Sequence, residues 1–357
     1  MADRRPVGFG RRPEDGPGDA VVVPDGTERL DDEIAARLIP VRDARGHKGT
    51  FGKVLVIAGS IDYAGAALLV CRAAGRAGAG LVTLAVPESL QPLFAAKVVE
   101  ATTMALPEDD VEEVDPEPAL AKVLDHDHDA MVIGPGLRPA LATADLLRLL
   151  LTGPEEAGGP PAVLDAEALR TLASADGWWT GVRRPCILTP HAGEFMRLRA
   201  GSGHDPEQDG DLATDDQARV RAASAAASEW GQVVVLKGAD TVIASPDGRT
   251  AVAPFENPAM ASGGTGDVLA GTIGGLLAQG LAPYDAARLG VYLHGQAGEV
   301  VRERIGDAGL LAGDLPDAVP LVRKRLAAIA DRLRGGRRVG FGVRREDPEP
   351  QGDGAPG

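Results

Sequence analysis

The sequence predicts an α/β protein, a three-layer, doubly wound and mostly parallel sheet with helices on both faces. Three observations carry that prediction. Short, nearly continuous apolar runs such as Lys53-Val54-Leu55-Val56-Ile57-Ala58 read as strands covered on both sides. They alternate with longer helical patterns, and a strand–helix–strand alternation closes into a parallel sheet through right-handed crossovers. Glycine-rich turns fall just after the apolar runs, at the edge where such sheets bind ligands.

Along the chain, residues 31–38 form a short helix and residues 46–52 a polar turn. Residues 53–58 are the first strand, residues 64–77 an alanine-rich helix and residues 81–86 the next strand. A helix over 89–97, a strand over 98–104 and an exposed acidic loop over 108–117 come next. Residues 130–133 form a buried strand that stops at Gly134-Pro135-Gly136, before a helix over 140–151 and an inserted loop over 153–161. Strands at 162–165, 186–189 and 233–236 alternate with helices at 166–173, 191–199 and 214–230, with a polar loop over 200–211. Residues 241–244 and 250–253 flank Pro246-Asp247-Gly248 as a hairpin. Helices over 268–277 and 286–304 close the core. The ends, residues 1–27 and 334–357, are rich in Gly, Pro, Asp and Arg and read as disordered tails around one domain over 28–333. Each tail carries a Val-Gly-Phe-Gly segment, at 7–10 and 339–342, which reads either as compositional bias in two solvated tails or as a shared docking or self-association tag.

Composition narrows the function classes. At 44% hydrophobic but 3% aromatic, with 47 glycines, the core must be built from small aliphatic side chains and close backbone approach. A net charge of −15 excludes a generic nucleic-acid or anionic-membrane surface, which needs a basic footprint. It leaves room for a phosphate-bearing small ligand held by helix N-termini and a few cations. The two cysteines, Cys71 and Cys186, sit inside apolar segments and read as buried hydrophobes in a reducing compartment. With no apolar run of membrane-span length and no apolar signal segment, the expected location is cytoplasmic.

The chemistry gathers at the strand ends. Gly263-Gly264-Thr265-Gly266-Asp267 precedes an apolar helix, so uncovered amides and the positive end of the helix form an anion cradle. Asp267 at its mouth is either a helix cap or a proton acceptor. Asp165 is equally a cap or a site residue, and Glu194 is equally the partner of a capping box begun by His191. Lys237, at the end of a four-residue apolar strand and next to Gly238, is poorly placed for plain solvation and well placed for a phosphate. His47-Lys48 reads as a solvated turn. Glycine turns, one lysine and two carboxylates suit phosphoryl transfer, although neither a Walker lysine motif nor a dinucleotide fingerprint occurs.

The ordered combination of His47-Lys48-Gly49, Gly59-Ser60, Gly78-Ala79-Gly80-Leu81-Val82-Thr83, Gly134-Pro135-Gly136-Leu137, Leu188-Thr189-Pro190-His191, Lys237-Gly238 and Gly263-Gly264-Thr265-Gly266-Asp267-Val268-Leu269 resembles the ADP-dependent NAD(P)H-hydrate dehydratase family. That family lies in the ribokinase-like superfamily, and the likeness runs from about residue 30 to 333. The resemblance implies repair of the S epimer of hydrated NADH or NADPH, with ADP consumed and AMP and phosphate released. It implies Ala66, Gly136, His191 and Asp267 against the hydrate, and Lys237, Gly238, Ala239, Asp240, Thr241 and Gly266 against the adenine nucleotide. Asp267 would be the base, Gly263, Gly264 and Thr265 the anion cradle, and Glu194 the carboxylate that orders water on Mg2+. Ala192 stands where the family often has proline, Ala259 and Arg138 where it often has glycine. The expected partners are the hydrate, ADP, an epimerase on a separate chain and further copies of this chain in a homo-oligomer, with no nucleic acid and no membrane. Two alternatives stay open, an ATP-dependent kinase of a small hydroxyalkyl heterocycle of the vitamin kinase type and a non-catalytic nucleotide-binding regulator.

Overall fold

The computed structural model describes residue 24 and residues 26–111, 113–152 and 159–335. The expected tails and residues 153–158 of the inserted loop lie largely outside the described residues. Ten strands form one sheet: β1 (Glu28–Arg29), β2 (Lys53–Ile57), β3 (Leu81–Pro87), β4 (Thr102–Leu106), β5 (Ala130–Ile133), β6 (Ala162–Leu164), β7 (Cys186–Leu188), β8 (Val233–Leu236), β9 (Thr241–Ala244) and β10 (Thr250–Ala253). Their order is β1-β10-β9-β8-β7-β6-β5-β2-β3-β4. Every neighbouring pair is parallel except β8/β9 and β9/β10, which form the antiparallel corner expected from the hairpin residues.

Alternate strand residues enter two apolar cores. Val54 and Val56 face one side, packed with α1 (Asp32–Leu38), α2 (Ala64–Ala77), α9 (Thr265–Ala278), α10 (Pro283–Ile305) and α11 (Leu315–Leu333). Leu55 and Ile57 face the other, under α4 (Pro116–Asp125), α5 (Leu141–Thr152), α6 (Glu167–Ala173), α7 (Ala192–Gly201) and α8 (Asp216–Trp230). A single turn, α3 (Gln91–Ala95), buries Phe94 against the first core. Cys71 and Cys186 are free and buried, and burial pushes both thiols up to about 12, as inert core residues require.

Four details differ from the sequence expectation. The fourth strand begins at Thr102 rather than at 98, because its register is set by pairing with Thr83–Pro87. Helix α4 was not expected at all; it starts within the acidic loop expected over 108–117, and its prolines occupy the first turn where no amide hydrogen is missed. Helix α11 was not expected, and it carries Pro320 in its interior. Two-residue β1 is too short to carry any periodicity.

Candidate active site

Parallel register aligns the residues that follow β6, β7 and β8 on one edge of the sheet. Asp165, Thr189 and Lys237 occupy those places. Asp165 is 2% exposed, and its Oδ1 accepts hydrogen bonds from Thr189 Oγ1 at 2.9 Å and from Lys237 Nζ at 2.8 Å. Its side chain therefore joins Thr189 and Lys237 in one cluster and caps nothing: the cap of α6 is Ala166, a non-glycine residue at φ 51°. Strain of that kind persists where the surroundings dictate the backbone, here beside Asp165. Lys237 also lies 3.9 Å from Glu194. Burial works against its charge, but Asp165 and then Glu194 and Asp267 outweigh it and hold the ammonium above its ordinary value.

The glycine turn meets this pair from the helix layer. Gly264 is the N-cap of α9 at φ 89°, with no side-chain cap, so Asp267 does not cap its helix. A Cβ on Gly266 would stand 3.4 Å from Lys237 Nζ and 3.7 Å from Asp165 Oδ2, which leaves the backbone close to both charges. The Thr265 hydroxyl donates to the Met260 and Ser262 carbonyls and so braces the turn. Gly263 has open space where a side chain would project. Asp267 is half-buried, and its carboxyl is pushed up to about 6, first by burial and then by Asp165, with Lys237 pulling the other way.

A cavity of about 700 Å³ adjoins these groups, a size that suits a nucleotide. His191, Lys237, Gly238, Ala239, Thr241 and Gly266 all line it. Thr241 Oγ1 donates to Gly238 O at 2.8 Å and closes the loop between them. Asp240 is buried, sits at φ 49° and is absent from the cavity wall; burial, then Asp216 and Glu256, push its carboxyl up to about 6. It shapes the loop rather than facing the cavity. His191 caps α7 by accepting from Gly193 and Glu194 amides, while Glu194 returns a bond from the His191 amide at 2.9 Å, so the expected capping box forms. Gly136, at φ 69°, would bring a Cβ within 2.8 Å of Ala66 Cβ, and that approach puts the two predicted substrate residues together. His191 stands apart from them, with Lys237 on the 700 Å³ cavity.

Two residues were missed. His294 lines the 700 Å³ cavity, and its Nε2 lies 2.9 Å from Thr265 O, so a neutral ring with its proton on Nε2 braces the turn. Burial pushes that imidazole down to about 4. Arg219 places its guanidinium against Gly238, where a Cβ would come within 2.6 Å of Nη1. Arg219 comes from α8 and His294 from α10, and no local pattern announces their reach.

Among the described residues, no three His, Cys, Asp or Glu side chains gather as a metal cage. Mg2+ needs no such cage, because it keeps several waters and takes one or two carboxylates plus substrate phosphates. Glu194, 3.9 Å from Lys237, offers an oxygen donor of that kind beside the cradle.

The architecture is shared with ribokinase-like proteins. The crystal structure of such a protein from Enterococcus faecalis superimposes with a TM-score of 0.70 at 27% identity, over 86% of this chain and 98% of that one. The family is narrower still: the chain belongs to the NAD(P)H-hydrate dehydratase family, whose model matches residues 54–321. It is 43% identical over 290 residues to the bifunctional NAD(P)H-hydrate repair enzyme of Moorella thermoacetica, covering 81% of this chain and 52% of that protein. The chain spans about half the length of the bifunctional relatives it matches. It is 36% identical to the ADP-dependent (S)-NAD(P)H-hydrate dehydratase of Bacillus subtilis, over 82% of this chain and 97% of that one. The crystal structure of the B. subtilis ADP/ATP-dependent enzyme, grown with ATP and Mg2+, gives a TM-score of 0.69 over 85% of this chain. Likeness to a hydroxyethylthiazole kinase from Pyrococcus horikoshii, at 16% identity, shows the fold alone.

Proposed function

We propose that this chain dehydrates the S epimer of hydrated NADH or NADPH, with ADP as phosphoryl donor. The observation that carries this reading is Asp267, a carboxyl raised to about 6 at the start of α9, beside Lys237 and a nucleotide-sized cavity. Its ionised form takes the proton of the ring hydroxyl as that oxygen attacks the terminal phosphorus of ADP. The phosphorus–oxygen bond to AMP breaks as the new ester forms. Amides of the glycine turn and Lys237 face the charge that develops on the transferring group. The carbon–oxygen bond of the ester then breaks with the ring-nitrogen lone pair behind it, the adjacent ring carbon gives up a proton, and phosphate leaves. Glu194 is the residue to hold Mg2+ through water, and the ion would neutralise phosphate charge. Supply of the S epimer by an epimerase and assembly with further copies of this chain belong to the same proposal. The names of the relatives and the nucleotide-sized cavity support ADP; the vitamin kinase reading has only the shared fold.

Mixing the protein with the S hydrate, ADP and Mg2+ is expected to restore the dihydronicotinamide absorbance, with one AMP and one phosphate released per turnover. No recovery with ADP or ATP would overturn the reading.

A further inference from the structure

A second cavity, of about 590 Å³, opens at the carboxyl ends of β2–β5 beneath α5. Ile57, Leu106 and Ile133 form its sheet wall, and Leu146, Leu147 and Leu150 its helix wall. The lining also includes Leu137 and Arg138, which follow Gly136 in the chain, and Gly136 in turn packs on Ala66. Ser60, 5% exposed, lines it too, and its Oγ has no hydrogen-bond partner among the described residues. A buried hydroxyl is normally satisfied, so this one points to a polar group of a ligand.

We infer that this cavity receives the non-reacting nucleoside half of the dinucleotide hydrate, with Arg138 at its mouth on a substrate phosphate; the inference rests on the dehydratase reading. ADP has its own cavity on the Lys237 side, which leaves this one to the part of the substrate beyond the hydrated ring. Apolar walls of this size accommodate a heteroaromatic base and ribose. Glu108, bound to the Ser89 amide and hydroxyl at 2.6 and 2.9 Å, and Glu113 make the remaining rim anionic. Phosphate charge is therefore directed to Arg138. That guanidinium now pairs with Asp62 at 2.5 Å, with both side chains more than half exposed. A pair so exposed is worth at most about 1 kcal/mol, so the guanidinium turns readily to a bidentate phosphate.

The test uses Ala142→Trp, which fills the cavity from α5, and the surface variant Arg138→Ala. Steady-state kinetics with the hydrate and ADP are paired with calorimetric binding of NAD+ and NADP+. Each variant is expected to raise KM for the hydrate about tenfold and weaken dinucleotide binding by a similar factor, with KM for ADP changed less than about twofold. Equal losses for NAD+ and NADP+ in Arg138→Ala identify the pyrophosphate as its partner; loss for NADP+ alone identifies the 2′-phosphate. Unaltered hydrate KM and dinucleotide binding in both variants, with wild-type turnover intact, would overturn the subsite alone. Wild-type protein that binds dinucleotide at this cavity without turnover would instead sink the dehydratase reading, and absence of both would sink the two together.

Discussion

Asp267 and Lys237 illustrate how burial sets the chemistry of single residues. Burial and the nearby Asp165 oppose ionisation of Asp267, which makes it a stronger base than a solvated carboxylate while leaving it mostly ionised at neutral pH. Turnover is therefore expected to rise as pH climbs through about 6 and then to level off, and a kcat/KM profile without that limb would remove Asp267 from the base role. Asp267→Asn should bind ADP much as the wild type does and lose about 10²–10⁴ in kcat. Its effect on stability has a definite sign. The folded carboxyl is raised above 3.8, so the fold favours the protonated form, and that favour is lost as pH rises through about 6. The Asn variant should consequently gain about 1–3 kcal/mol over wild type near pH 8 and little near pH 4, measured by denaturant unfolding. Lys237→Met removes the cation from buried Asp165 and should cost about 3–5 kcal/mol. Adding Asp165→Asn is expected to return part of that stability without returning turnover; a double variant as unstable as the single would contradict the pairing.

Helix α9 carries the glycine turn, and its own glycines decide where the turn sits. Gly271 and Gly275 face α2 so closely that a Cβ at Gly275 would approach Ala74 O at 2.5 Å. Gly274 on the sheet side likewise leaves no room beside Val132. Small residues thus let α9 lie tight between α2 and the strands, which fixes Asp267 relative to Asp165 and Lys237. Gly275→Val should push the helix outward, lower stability by about 1–3 kcal/mol and reduce kcat more than it raises KM for ADP. Unchanged thermal unfolding would show that the interface tolerates the side chain. The polar loop after α7 is held at the same scale: Arg199, 2% exposed, binds Asp209 and Glu229 and ties that loop to α8.

For the whole molecule, a net charge of −15 means that an anionic nucleotide approaches against the overall field. Raising ionic strength from about 10 to 150 mM should screen that repulsion and increase the association rate of ADP, as read by stopped flow. A rate that falls with salt would show that the local field of Lys237 and the α9 terminus dominates at a distance. None of the described helices is long and apolar enough to cross a membrane.

The alternation of apolar runs and helical patterns was enough to predict the sheet, because a strand buried on both faces leaves an unambiguous apolar signature. Glycines of the cradle, Lys237 and Asp267 were legible for a related reason, since strand ends in a doubly wound sheet are where ligands bind. Helices α4 and α11 were both missed, and both carry prolines that a helix tolerates only in context. Whether Asp165 capped a helix or turned towards Lys237 was open in sequence, and the register of β6, β7 and β8 decided it by bringing Lys237 within 2.8 Å. The same holds for His294, for Ser60 above its cavity and for the raised carboxyl of Asp267. Residue type and spacing determine which groups are available, but burial and through-space charge determine their state, and both depend on chain segments that meet only when the sheet and helices pack.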